Sequence, residues 1–186
     1  SAKRNWTPEP AENDRTSDWA GETNKQEGCG VYPEMGFSTV SLYLQGEQTM
    51  SELFEFGKKI LESQPFSVLL GTELEVFEAG TANLSLVVRE ELKQQHGFVH
   101  GGVVSYLADN ALTYAGGSVL GDSVTSEFKI NYLRPAIGDK LVAKASVLSS
   151  GSNQAVCQCN VVAIRGDGER MVAVAQGTIT KVEQKL

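Results

Sequence analysis

No run in the 186-residue chain approaches the roughly 18 consecutive apolar residues that a membrane-crossing helix requires, and the polar opening SAKRNWTPEP lacks the apolar stretch of a secretory signal. The expectation is a cytoplasmic protein with no membrane partner. Cysteine is scarce. Cys29, Cys157 and Cys159 are an odd count, and Cys-x-Cys on a strand turns both thiols to one face, which suits neither a disulfide framework nor a zinc site. Histidine is scarcer: His96 and His100 stand four apart, but Gly97 breaks the segment between them, so the helical i, i+4 metal pair is not expected. Clusters of basic residues are missing as well. The net charge of −7 divides into −4 for 1–50 (4 basic, 8 acidic) and −3 for the remainder (12 basic, 15 acidic), an acidic balance that opposes phosphate backbones and excludes nucleic acid as the expected partner. Neither a metal nor a cofactor is expected.

With 41% hydrophobic and 21% charged residues, the chain has the make-up of one globular domain with a sizeable core. Residues 1–50 are rich in Glu, Asp, Asn, Thr, Gly and Pro, and they read as a flexible N-terminal extension in which 36–44 alone has strand-like composition. The domain is expected over 51–186. It begins with a helix capped by Ser51, carrying Leu53, Phe54, Phe56, Ile60 and Leu61 on one side and stopped by Pro65. Strands over 73–78 and 82–89 follow, joined through Gly80, and a polar connection covers 90–98. From Gly101 to about Gly116 the apolar positions Val103, Val104, Leu107, Ala108, Ala111, Leu112 and Ala115 keep helical period and predict one long buried helix. Strands are then predicted over 123–133, 140–148, 155–164 and 171–182, with turn residues at each junction. Two strands, a buried helix and four more strands predict an α+β hotdog fold, an antiparallel sheet wrapped around a long central helix.

The segment 96–111, HGFVHGGVVSYLADNA, carries the chemistry. Two glycines open the helix, and the first N–H groups of a helix lack internal partners and sit at the positive end of its dipole, where they can stabilise an oxygen that turns negative. Gly101 and Gly102 either serve that purpose, since glycine lets a ligand come close, or simply permit tight packing. Asp109 lies beside the apolar arc, about 60° from Leu112, and is either a base or nucleophile in a partly buried position or a solvated flank residue. It trails Gly102 by seven residues, on nearly the same face but about 10.5 Å along the axis. One carbonyl cannot easily meet both. Two antiparallel helices across a two-fold axis would bring the glycine end of one subunit to the aspartate of the other, so a homodimer with two shared sites is expected.

At this segment the sequence resembles the hotdog thioesterases of the phenylacetate-degradation type, whose pattern is a polar residue, HG-x-x-HGG and an acidic residue on the helix. The stretch 125–136, TSEFKINYLRPA, resembles that family's strand ending in an Arg-Pro turn. The resemblance covers about 51–184. It implies an acyl-CoA thioesterase in which the Gly101 N–H polarises the thioester carbonyl with help from Gln94, while Asp109 of the facing subunit activates water or attacks directly. Thr113, one turn after Asp109, would help to place the water, with Thr125 a second candidate. His100, Gly102, Thr125 and Arg134 are the expected substrate-binding residues, and the histidine either orients the loop or transfers a proton. Lys129, Arg134, Lys140 and Lys144 either hold the CoA phosphates or are scattered solubilising charges, and Tyr106 and Tyr114 either line the acyl pocket or fill the core. The absence of a Gly-x-Ser-x-Gly elbow argues against a serine-hydrolase route to the same product. A hotdog that binds acyl-CoA without turnover is the competing expectation, and pairing of dimers into a homotetramer is left open.

Overall fold

A computed structural model describes residues 50–182. The expected extension over 1–50, the strand-like stretch 36–44 and Cys29 lie outside the described residues, save that Met50 begins the first helix. Helix α1 (Met50–Ser63) runs one residue earlier than expected, which puts Ser51 inside its first turn. Pro65 does more than stop it. A second helix, α2 (Pro65–Leu70), starts there with proline in its first turn, where the missing N–H has no helical partner to lose, and Gly71 ends it at a φ of 70°.

Strands β1 (Thr72–Glu78) and β2 (Thr81–Val87) form the first hairpin, turning at Gly80 with a φ of 79°. A single 3-10 turn (Glu90–Leu92) and a loop lead into the long helix α3 (Gly101–Leu120). Then come β3 (Ser123–Tyr132), β4 (Lys140–Ser150), β5 (Gln154–Arg165) and β6 (Gly168–Lys181). The six strands make one antiparallel sheet in the order β1-β2-β4-β5-β6-β3, which leaves β1 and β3 at its edges. Helix α3 packs across β2, β4, β5, β6 and β3, and α1 lies on β1.

The core follows from strand alternation and helical period. Leu107, Ala108, Ala111, Leu112 and Ala115 of α3 are buried against Leu84 and Leu86 of β2, Leu141, Ala143 and Ala145 of β4, and Ala173, Ala175 and Ile179 of β6. Alanines on the inner face bring the helix close to the sheet. The expected end at Gly116-Gly117 is overturned, because the helix continues to Leu120 and Gly121, at a φ of 86°, ends it. Gly116 is there for packing: a Cβ on it would lie 2.6 Å from the Cβ of Ile179, closer than any real side chain tolerates. Cys157 and Cys159 are buried side by side on β5, and burial pushes their thiols up to about 11 and about 12, so neither is a thiolate near neutral pH. Among the described residues no helix is long and apolar enough to cross a membrane.

Candidate active site

The loop before α3 is held at every step. Gln94 N–H donates to the Phe98 carbonyl (2.9 Å), Gly97 N–H to the Gln94 carbonyl (2.9 Å), Val99 N–H to Ala136 (3.0 Å) and His100 N–H to Leu92 (2.8 Å), while Gly97 turns at a φ of 81°. His100 is the N-cap of α3, and its Nδ1 accepts the N–H of Gly102 at 2.9 Å. A ring nitrogen that accepts is occupied by that bond, which fixes the orientation of the imidazole over the helix start. His100 therefore builds the helix start. Its carbonyl takes the N–H of Val103 (3.0 Å) and of Val104 (3.3 Å). Of the four N–H groups that open the helix, that of Gly101 alone has no partner among the described residues. Gly101 and Gly102 line a cavity of about 490 Å³ together with Gln94, Phe98, Tyr132 and Arg134.

Asp109 occupies a different place. It is partly buried two turns further along α3, and its Oδ1 accepts from the hydroxyl of Thr125 at 2.7 Å. Thr113 reaches the Asp109 carbonyl oxygen (3.0 Å) and the Thr125 hydroxyl (2.7 Å) instead of the carboxylate. Each hydroxyl has one proton to give. Thr125 gives its proton to the Asp109 carboxylate, and Thr113 shares its proton between the Asp109 carbonyl and the Thr125 oxygen, a short chain of hydroxyls onto the carboxylate. Thr125 shares the inner face of β3 with Ser123 by strand alternation, and the β3–β6 register shifts just after it, between Thr125 and Glu127. Beside this group a recess of about 210 Å³ opens between α1 and α3, lined by Ile60, Gln64, Phe77, Thr113, Tyr114 and Gly117.

The expected site residues thus fall into two sets within one chain, Gln94, Gly101, Gly102 and Arg134 at the cavity, and Asp109 and Thr113 of the helix with Thr125 of β3. The basic quartet does not gather: Lys140 pairs with Glu75 (2.5 Å), Lys144 with Glu169 (2.7 Å), and Arg134 donates to the Met171 carbonyl (2.6 Å). Arg134 is the member that lines the cavity. His96 stacks on Phe98 with ring centres 6.0 Å apart. Tyr114 is a core residue whose hydroxyl donates to Gly57 (3.1 Å), and burial raises its phenol above the ordinary range. Tyr106 bonds Ser67 (2.7 Å) and Thr72 (2.9 Å), pinning α2 and β1 to the helix. The sequence reading missed Tyr132, which donates its hydroxyl to the Gly101 carbonyl at 3.0 Å; its position two residues before the Arg-Pro turn was the available signal.

A family model described as the thioesterase superfamily matches residues 96–169, the stretch that holds Gly101, Asp109, Thr113, Thr125 and Arg134. The acyl-coenzyme A thioesterase PaaI of Escherichia coli K12 is 30% identical over 117 residues, which are 62% of this chain and 81% of that protein. The crystal structure of a thioesterase family protein from Silicibacter pomeroyi is 30% identical with a TM-score of 0.66, covering 71% of this chain and 97% of the other. The chain belongs to the thioesterase superfamily. The thioesterase also shares its fold with the E. coli PaaI protein structure, at a TM-score of 0.67 and 24% identity over 73% of this chain and 97% of that one. Six antiparallel strands about one long helix are the hotdog architecture expected from the residue pattern, and membership makes this chain a thioester hydrolase. For a thioesterase, a free helix N–H at a cavity and a hydrogen-bonded carboxylate are complementary parts: one suits a carbonyl oxygen, the other water.

Proposed function

We propose that this thioesterase hydrolyses an acyl-CoA to the free acid and CoA at sites shared between two subunits. The observation that carries the reading is the unpartnered N–H of Gly101 at the edge of the 490 Å³ cavity. A thioester oxygen placed against it meets a fixed donor at the positive end of α3, and the same donor holds the oxygen more strongly as it becomes negative. Asp109 of the facing subunit takes a proton from water, whose oxygen bonds to the carbonyl carbon; the C–S bond breaks and the thiolate collects the proton. Direct attack by the carboxylate, followed by hydrolysis of the anhydride, uses the same placement. The Thr113–Thr125 chain keeps the carboxylate aimed. The acyl-CoA class is supported by the name of the PaaI relative and by the division of space: the cavity with Gln94 and Arg134 suits the polar thiol side, and the recess with Ile60, Phe77 and Tyr114 suits the acyl side.

Distance supports sharing between subunits. Gly102 and Asp109 are about 10.5 Å apart along one helix, too far for a single carbonyl, whereas antiparallel helices overlay them pairwise. The free edge of β3, with Val124 54% and Tyr132 53% exposed, supports an interface on that side. The test is thiol release from short, medium, long and aromatic acyl-CoAs by the native protein and by Asp109→Asn. Turnover of at least one substrate, reduced about 10²- to 10⁴-fold in the variant while acyl-CoA still binds, is the expected result. Equal turnover by the variant overturns the role of Asp109, and no release across the panel overturns the substrate class.

A further inference from the structure

We propose that Tyr132 is a positioning residue for the oxyanion donor, acting through the peptide unit between Gly101 and Gly102. The inference rests on the reading of the Gly101 N–H given above. That peptide unit is gripped by side chains at both of its polar ends: the Tyr132 hydroxyl donates to the Gly101 carbonyl at 3.0 Å, and the Gly102 N–H donates to His100 Nδ1 at 2.9 Å. The preceding peptide unit, which bears the free N–H, is held by its carbonyl, since His100 O accepts from Val103 and Val104. The orientation of the free N–H therefore depends on the two soft dihedrals of Gly101, and glycine by itself restrains them least of all residues. Fixing the planes on both sides of Gly101 removes that freedom. A donor that does not have to reorient as charge develops stabilises the transition state most.

Tyr132 is well placed to act as a fixed post. It ends β3, paired with Ala173 of β6, and the next two N–H groups, of Leu133 and Arg134, both go to the Val172 carbonyl (2.8 and 3.4 Å). The Arg134 guanidinium fastens the same segment to Met171. The ring lies against the glycine, for a Cβ on Gly101 would meet the ring and its hydroxyl oxygen at 3.6 to 3.7 Å. Strand β3 thereby transmits the rigidity of the sheet to the helix start. Because the ring also lines the cavity, its apolar surface and its hydroxyl have separable effects.

The experiment compares the native protein with Tyr132→Phe and Tyr132→Ala, using an acyl-CoA that the native protein hydrolyses and a non-hydrolysable ketone analogue of it, in which a methylene stands between the carbonyl and the sulfur. Steady-state kinetics are read together with the amide signal of Gly101 in glycine-labelled protein. The hydroxyl, one half-exposed hydrogen bond, is expected to cost about three- to ten-fold in kcat when removed, with KM changed less than two-fold. The Gly101 amide signal should move on analogue binding in the native protein and move less in Tyr132→Phe. If Tyr132→Phe has native kcat and a native Gly101 response, the inference is overturned while the role of the Gly101 N–H stands; a rise in KM confined to Tyr132→Ala then marks the ring as a substrate contact. If the analogue binds and the native Gly101 signal does not move, the oxyanion reading itself falls, and the inference with it.

Discussion

Gly101 and Gly102 are neighbours with different duties. The N–H of Gly102 is spent on His100, and a Cβ there would lie 3.0 Å from the His100 Nδ1, so the residue is small because the cap folds back over it. Gly101 keeps its N–H free, and a Cβ there would make ordinary contacts with Tyr132. Proline at 101 is therefore a clean probe. Proline suits the first helical position, and His100, at φ −59° and ψ 135°, already has the extended conformation that a following proline demands. Gly101→Pro should fold, with an unfolding midpoint within a few degrees of native, and lose about 10²- to 10³-fold in kcat through the missing donor. Full activity in a folded Gly101→Pro protein would remove this N–H from the mechanism.

At the scale of the elements, α3 and β3 divide the labour. Helix α3 carries both the proposed donor, Gly101, and the Asp109 carboxylate along one axis, and β3 supplies side chains that bond to them, Thr125 to Asp109 and Tyr132 to Gly101. The glycine pair in mid-helix tests how tightly the helix is seated. Alanine at 116 would force its Cβ against Ile179 at 2.6 Å, a strain of about 1–3 kcal/mol that exceeds the roughly 1 kcal/mol gained in helix propensity. Alanine at 117 would meet only the Ser123 hydroxyl oxygen, at 3.1 Å, which a side-chain rotation relieves, so the propensity gain wins. Urea unfolding should show Gly116→Ala with a lower midpoint and Gly117→Ala with an equal or higher one. Equal shifts of the same sign would mean that the helix is not seated on β6 as described.

For the whole molecule the decisive question is whether a site is made by one chain or two. In the proposed symmetric dimer, Asp109→Asn and Gly101→Pro would each break both sites, but a mixed dimer would have one site with both lesions and one with neither. Refolding the two variants together at equal concentration should restore about a quarter of native activity, since half of randomly paired dimers are mixed and half of their sites are intact. No recovery from a mixture whose subunits demonstrably exchange would place Gly101 and Asp109 of the same chain at the same substrate.

Sequence by itself determined the order of the six strands and the place of the long buried helix among them. Alternation wrote the strands, a 3.6-residue period wrote the buried helix, and glycine pairs at a helix start are signals confined to a few neighbouring residues. Tertiary structure decided what depends on distant partners. The helix runs past Gly116-Gly117 because Ile179, 63 residues on, fills the space that a side chain would need. Lys140 and Lys144 leave the basic quartet because Glu75 and Glu169 reach them across the sheet. Thr125 meets Asp109 from 16 residues away on an edge strand, and Tyr132 meets Gly101 from 31 residues away. Local pattern records which face a residue turns inward, whereas a hydrogen bond of about 3 Å is set by how helix and sheet pack, and no short stretch of sequence contains that geometry.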